Sequence, residues 1–323
     1  LYTFPEKPES FSTTFPSTYR KSRIAKMKNR NFTLFVSLVL VAWQCALSSA
    51  EENSIKHSYL VLGHKTAIIG EDDQAQWVYK DGSRDGFVLP NGNILLAFAD
   101  HVEEVTRESQ VVFSYKLSAP NKEISTAQRL YNGNTLVTEL GSQPKLLEVN
   151  TDGKMIHEFS LLPETENIHL QTRMARQLRS GNFLVPHLLA FAIKEYTPEG
   201  KVVQTYKTDL QDLGGRPAEN WPFTAIRLDN GNTLTSLTHG NKAVEFDPAG
   251  NVVWKITNAD VNGLFSDTCG AQRLASGNTV IGSHHTSGDM ISLVEVNREK
   301  KIVWTSNHPL AAGVHHFQIL TTN

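Results

Sequence analysis

The sequence predicts an all-β fold, a six-bladed β-propeller with four strands per blade. Three observations predict it. The string AQRLYNGNTLVTE at 127–139 returns almost unchanged as AIRLDNGNTLTSL at 225–237 and AQRLASGNTVIGS at 271–283. The glycine of a Gly-Asn pair recurs at Gly92, Gly133, Gly181, Gly231 and Gly277, spaced by 41, 48, 50 and 46 residues, about the length of one blade. The two ends of the chain read as complementary parts of one further blade, so the ring closes on itself.

The period starting at Ala225 shows each element in turn. Ala225-Ile-Arg-Leu228 is a first strand, and Asn230-Gly-Asn232 is a tight hairpin turn in which both central positions are expected at φ > 0. Thr233-Leu-Thr-Ser-Leu237 is a second strand and Lys242-Ala-Val-Glu-Phe246 a third. Asp247-Pro-Ala-Gly250 turns the chain into a fourth, Asn251-Val-Val-Trp-Lys-Ile256. The fourth strand recurs as Ala75-Gln-Trp77, Val111-Val-Phe113, Val202-Val-Gln204 and Ile302-Val-Trp304, whose aromatic residues are expected to pack between blades. The C-terminal stretch 315–323 matches a first strand and stops where a Gly-Asn turn is due. Residues 58–62, 66–70 and 76–79 match a second, third and fourth strand. One C-terminal and three N-terminal strands would therefore share a blade, and closure of this kind removes open sheet edges.

Ahead of the repeats, Met27-Lys-Asn-Arg30, the apolar run 32–42 and Leu47-Ser-Ser-Ala50 have the basic start, short apolar core and small-residue cut site of a secretory signal. The expected organisation is an upstream extension at 1–26, a signal peptide at 27–50 and a single propeller domain at 51–323, secreted or periplasmic after cleavage near Ala50. Residues 1–50 hold 7 of the 31 basic and 2 of the 33 acidic residues, so residues 51–323 carry 24 and 31, a formal charge of −7. That balance speaks against nucleic acid as a partner. No stretch predicts a membrane span, and a monomer is expected. Cys45 falls inside the signal, which leaves Cys269 with no internal disulfide partner.

The Arg-Leu-x-Asn-Gly-Asn-Thr and Gly-x-Val-Val-Trp blade motifs resemble those of exported propellers of the quinoprotein-like superfamily, built from pyrroloquinoline-quinone-type repeats. The similarity spans residues 55–323 and specifies the blade rather than an activity. Dehydrogenases of that superfamily have eight blades and often a vicinal cysteine pair, so six blades and a lone Cys269 argue against the quinone here. The blades are also similar to those of arylsulfotransferases, which use a channel histidine as nucleophile. That likeness implies no particular position as the nucleophile in this chain.

Propeller geometry brings the starts of first strands and the ends of second strands to one face, around the central channel. The starts are Arg84-Asp85, Ser125-Thr126, Arg173-Met174, Phe223-Thr224, Cys269-Gly270 and His315-His316. The ends are His64, Asp100-His101, Glu139, His187, His239 and His284-His285. The expected ligand-binding set at this mouth is Arg84, Asp85, Gln128, Glu139, Arg173, Arg176, His187, Gln272, His284, His315 and Gln318. If a divalent metal is the cofactor, His187, His284 and His315 are its candidate ligands. Adjacent strand residues point to opposite faces, so at most one histidine of each pair should face the channel. His157, His169 and His308 read as surface or loop residues.

Three functions fit this pattern. One is a binding propeller for a small anionic or carbohydrate-like ligand, since arginine forks match carboxylate and sulfate. The second is an enzyme at the same mouth, either a histidine-dependent group transferase or a metal-assisted lyase. The third is a protein-interaction scaffold.

Overall fold

Each Gly-Asn repeat closes the hairpin between the first two strands of a sheet. In the computed structural model, which describes residues 54–285 and 291–323, the Gly92 N–H donates to the Leu89 carbonyl and the Leu89 N–H to the Asn93 carbonyl, both at 2.8 Å. Gly92 has φ +87°, whereas Asn91 keeps negative φ. The expected pair of left-handed residues is therefore corrected to one, a glycine bulge closing the turn. The Asn91 side chain instead accepts from the Asn93 N–H at 3.0 Å, fixing the turn locally. The expected signal segment and upstream extension lie outside the described residues.

The strands form six four-stranded antiparallel sheets. Five are continuous in sequence, covering 85–116, 123–160, 176–207, 220–257 and 268–306, here called blades one to five. The sixth joins the chain ends as the sequence predicts. Strand β24 (His316–Thr322) pairs with β1 (His57–Leu62), followed by β2 (Thr66–Ile69) and β3 (Ala75–Val78). Its register sets Phe317 opposite Val61, Gln318 opposite Leu60 and Ile319 opposite Tyr59. Among the described residues no helix is long and apolar enough to cross a membrane.

The core lies between blades. Each of the six blade interfaces holds one apolar cluster, and a seventh, smaller cluster around Cys269 packs Met174, Leu188 and Phe223. Trp254, for example, packs with Ile256 of its own blade and Ile281 and Val294 of the next. The β-branched and aromatic residues of the repeat thus hold neighbouring sheets face to face.

Polar clamps reinforce these seams. The asparagine after each turn glycine donates its amide to a glutamate on the third strand of its own blade. The pairs are Asn93–Glu104, Asn134–Glu148, Asn182–Glu195, Asn232–Glu245 and Asn278–Glu295, at 2.5–2.7 Å. An arginine from the following blade then meets three of these glutamates, Arg129 on Glu104, Arg227 on Glu195 and Arg273 on Glu245, and the His57 ring hydrogen-bonds a fourth, Glu295. The repeated Arg and Asn of the hairpin motif are therefore two arms of one inter-blade clamp. Glu148 faces Gln177 in the next blade's arginine position and has no such cation.

Burial raises the Glu245 pKa, but hydrogen bonds from Asn232, Arg298 and Arg273 outweigh it and hold the carboxyl at about 2. A group depressed in the folded state stabilises above its unfolded pKa, and that contribution is lost as pH falls through the folded value. Glu245→Gln should therefore cost about 2 kcal/mol at pH 7 in urea denaturation. The gap from wild type should close between about pH 4.5 and 2. A gap that stays constant over that range would contradict the clamp.

Candidate functional site

Backbone irregularities shape the channel mouth. The pairing of first and second strands slips at Ile124/Thr126, Pro222/Thr224 and Thr268/Ala271, and such bulges re-aim the side chains at strand starts. Arg84, Ser125, Arg173, Met174, Phe223 and His315 line a small depression there, together with His169. The His315 ring stacks on His284, with centroids 4.5 Å apart and planes 4° apart. His64 meets His284 edge-on at 5.2 Å. Phe223 lies 5.9 Å from His315, nearly parallel, and the Arg173 guanidinium sits 5.7 Å over the Phe223 ring.

The two arginines of the mouth differ in their partners. Arg84 donates to Glu123 at 2.6 Å and to the Ile124 carbonyl. His169 hydrogen-bonds the same carboxylate at 3.1 Å, and these contacts, His169 foremost, hold Glu123 down at about 2. Arg173 is only 6% exposed. Its guanidinium donates to the Thr172 carbonyl at 2.8 Å and, among the described residues, meets no carboxylate. Burial first, then repulsion from Arg84, lowers its pKa to about 10. Burial likewise lowers His315 to about 2, helped by His284, Arg173, Arg84 and His64. Among the described residues its buried Nδ1 has no hydrogen-bond partner. His284 is lowered by burial and by His285. The mouth thus combines a desolvated cation with neutral imidazoles and an aromatic face.

One layer deeper, Arg176 of blade three reaches past blade two to Asp85 of blade one, in a two-point ion pair at 2.7 and 2.8 Å. Phe87 lies 4.9 Å under this guanidinium. His316 is buried 3.9 Å from Asp85, and among the described residues its ring nitrogens have no hydrogen-bond partner. Burial lowers its pKa to about 4. Asp85 and Arg176 therefore neutralise each other across the channel.

The remaining sequence-predicted residues stand apart from this depression. Gln128, Gln272 and Gln318 accept from the backbone N–H of Gln177, Ile319 and Val88 at 2.8–2.9 Å, each tying its inner strand to the next blade's. Glu139 is fully buried, and its oxygens accept from the Tyr115 hydroxyl, Ser118 and Asn121. Burial alone would raise its pKa, yet these bonds lower it. His187 is buried with its Nε2 2.9 Å from the Tyr196 hydroxyl, and burial lowers it to about 3. It joins neither His284 nor His315. Among the described residues no group of three or more His, Cys, Asp or Glu is placed to hold a metal. Cys269 packs against Met174, Leu188 and Phe223, and burial raises its thiol pKa.

Sequence reasoning left Phe223 out of the site set and read His169 as a loop residue. Phe223 carries no charge to draw notice. His169 sits in a 3-10 turn, Ile168–Leu170, between blades and outside the repeat. A larger cleft lies on the rim and holds none of the sequence-predicted site residues. The mouth is the stronger candidate because unpaired charge and aromatic surface converge there.

A family model described as Mal s 1 allergenic protein-like matches residues 104–308. No curated protein matches the chain. Among solved structures, a protein of unknown function from Bacteroides caccae is similar at 24% identity and TM-score 0.71, covering 81% of this chain and 98% of its own. Virginiamycin B lyase from Staphylococcus aureus is similar at 12% identity and TM-score 0.57, covering 82% of this chain and 89% of its own. A catalytically inactive form of that lyase with quinupristin gives 12% identity, TM-score 0.57 and coverage of 83% and 93%. These likenesses are of the propeller fold.

Two consequences of burial can be measured. The ring of His315 should stay neutral from pH 8 down to pH 4, seen as constant imidazole nitrogen shifts in NMR. Cys269 should resist a thiol reagent at pH 8 in the folded protein and react on unfolding. A His315 midpoint near 6, or fast Cys269 labelling without denaturant, would show that the mouth is open to water.

Proposed function

The chain belongs to the Mal s 1 allergenic protein-like family, and we propose that it is a binding propeller for a small anionic ligand, such as an acidic or sulfated sugar, at the channel mouth. Arg173 carries this reading. A guanidinium removed from water without a carboxylate partner is costly to the folded state. A ligand carboxylate or sulfate would supply the missing partner through two parallel charge-assisted hydrogen bonds. The neutral ring of His315 offers polar contact beside it, and Phe223 offers a flat apolar face. Arg84, already shared with Glu123, adds positive potential.

Catalysis at the same mouth is the rival reading, and a similar fold is found in lyases. An efficient general base has a pKa near the working pH. His315, held near 2, is a poor proton acceptor at neutral pH, which favours binding over proton abstraction. The protein is also read as exported, with residues 27–50 as its signal and Glu51 as its first mature residue. Mass spectrometry of protein secreted from a host cell should then find that terminus, and retention of residues 27–50 would overturn export.

Calorimetric titration with galacturonate, glucose 6-sulfate and neutral glucose tests the binding. The two anions should bind saturably, more weakly at high salt, and glucose should not. Arg173→Met should weaken the anions by about tenfold or more, the value of one charged hydrogen bond. The same change should leave Tm equal or higher, because it removes a buried unpaired charge. Equal binding of glucose, or unchanged anion affinity in Arg173→Met, would overturn the reading.

A further inference from the structure

Two seams place a tryptophan of the outer strand opposite a third-strand glutamate, Trp254 on Glu245 and Trp304 on Glu295, and they differ in what the following blade brings to the indole. At the seam between blades four and five, Trp254 of the outer strand is met by Arg273 and Arg298 of the following blade, with guanidinium carbons 5.7 and 5.3 Å from the ring. Both arginines bind Glu245, and the indole N–H donates to the Arg298 carbonyl at 3.1 Å. Trp77 makes the equivalent bond to the Arg107 carbonyl at 3.0 Å.

Trp304 occupies the same place at the seam between blade five and the composite blade. It pairs with Glu295 as Trp254 pairs with Glu245. The register puts Ile319 where the following blade should bring Arg273's counterpart. The hairpin loop that carries Arg298 opens with the Asn297 N–H on the Lys301 carbonyl, and its counterpart opens with the Gly70 N–H on the Gln74 carbonyl. Glu71 therefore stands where Arg298 stands, a carboxylate in place of a guanidinium. Among the described residues Trp304 makes no indole hydrogen bond to the next blade. Instead a cleft of about 330 Å³ lies at this seam, lined by Trp304, Tyr59, Glu71, Asp73, Asn307 and Lys56 among others.

We propose that this rim cleft binds a guanidinium-bearing ligand, which takes over at Trp304 the place that arginine side chains hold at Trp254. The indole supplies the ring face, since Trp is the strongest aromatic partner for a cation. Glu71 supplies the two-point partner for the fork; one of its oxygens accepts from the Thr321 hydroxyl at 2.6 Å. Asp73, held at φ +57° in the tight loop, adds a second negative charge. His57 hydrogen-bonds Glu295 and meets the Trp304 ring edge-on, with centroids 4.6 Å apart, so the ligand takes the part of the indole that His57 leaves open. Lys56 is exposed on the wall and opposes a cation, so its removal strengthens binding.

The test is titration of the purified protein with ethylguanidinium, its neutral counterpart ethylurea, and an end-blocked Gly-Arg-Gly peptide, followed by tryptophan fluorescence and heat. Ethylguanidinium should bind saturably and ethylurea should not. Glu71→Gln and Trp304→Leu should each weaken binding about tenfold, and Lys56→Ala should tighten it. Glu71→Arg, which rebuilds the arrangement at Trp254, should abolish it. Glu71 sits in a surface hairpin, so its variants keep the test valid if Trp304→Leu fails to fold. Arg173→Met should leave this binding unchanged, which separates it from the mouth. A peptide that binds more tightly than ethylguanidinium assigns the cleft to an arginine of another protein, and the reverse assigns it to a free guanidine. No saturable signal with either guanidinium, equal binding of ethylurea, or wild-type affinity in Glu71→Arg overturns the proposal.

Discussion

Two strands from opposite ends of the chain, β24 and β1, lie side by side with Phe317 against Val61 and Ile319 against Tyr59. That pairing turns a row of five sheets into a ring. Without it the inner strands would have no common axis, and Arg84, Arg173 and His315, more than two hundred residues apart at the extremes, would have no reason to meet. A closed ring also leaves no blade with an open face, so the apolar side of each sheet is covered by the next.

The seams then decide which polar residues are free to act. Glutamates on third strands absorb most of the repeat's arginines, and glutamines on inner strands absorb backbone N–H groups. Asp85 absorbs Arg176. What remains unpaired stands out against this economy of partners. At the mouth it is Arg173, a guanidinium kept from water that among the described residues donates only to a carbonyl. At the rim it is Trp304, an indole beside which Ile319 and Glu71 stand where Trp254 has Arg273 and Arg298. Each is a departure from a local rule that its neighbours obey, and such departures in natural proteins are where function is to be sought.

The fold was legible in the sequence because hairpin chemistry repeats. Leu-x-Asn-Gly-Asn requires one left-handed residue at a fixed place, and the complementary ends at 58–79 and 315–323 could pair in only one way. The convergence of Arg84, Arg173, His284 and His315 at the candidate mouth was legible because position alone decided it. The site was not legible where a side chain's direction decided it. Glu139 and His187 end second strands, yet both turn into the blade, where Glu139 is held through both oxygens and His187 meets Tyr196 through Nε2. Gln128, Gln272 and Gln318 have the right address but are spent on the neighbouring strand, a contact that no single-blade pattern reveals. Arg129, Arg227 and Arg273 were visible as a motif, while their glutamate partners in the preceding blade were not, because the clamp spans sheets. The family match over residues 104–308 names a Mal s 1 allergenic protein-like family and does not itself show a quinone-type repeat; blade motifs report architecture, which many families share.

The most direct measurement of the central claim is a crystal structure of the protein soaked in bromide, read by anomalous scattering. Bromide should appear at the channel mouth within hydrogen-bond distance of the Arg173 guanidinium, beside His315 and Phe223. A mouth without bromide, with Arg173 turned onto a carboxylate of the protein, would contradict the account.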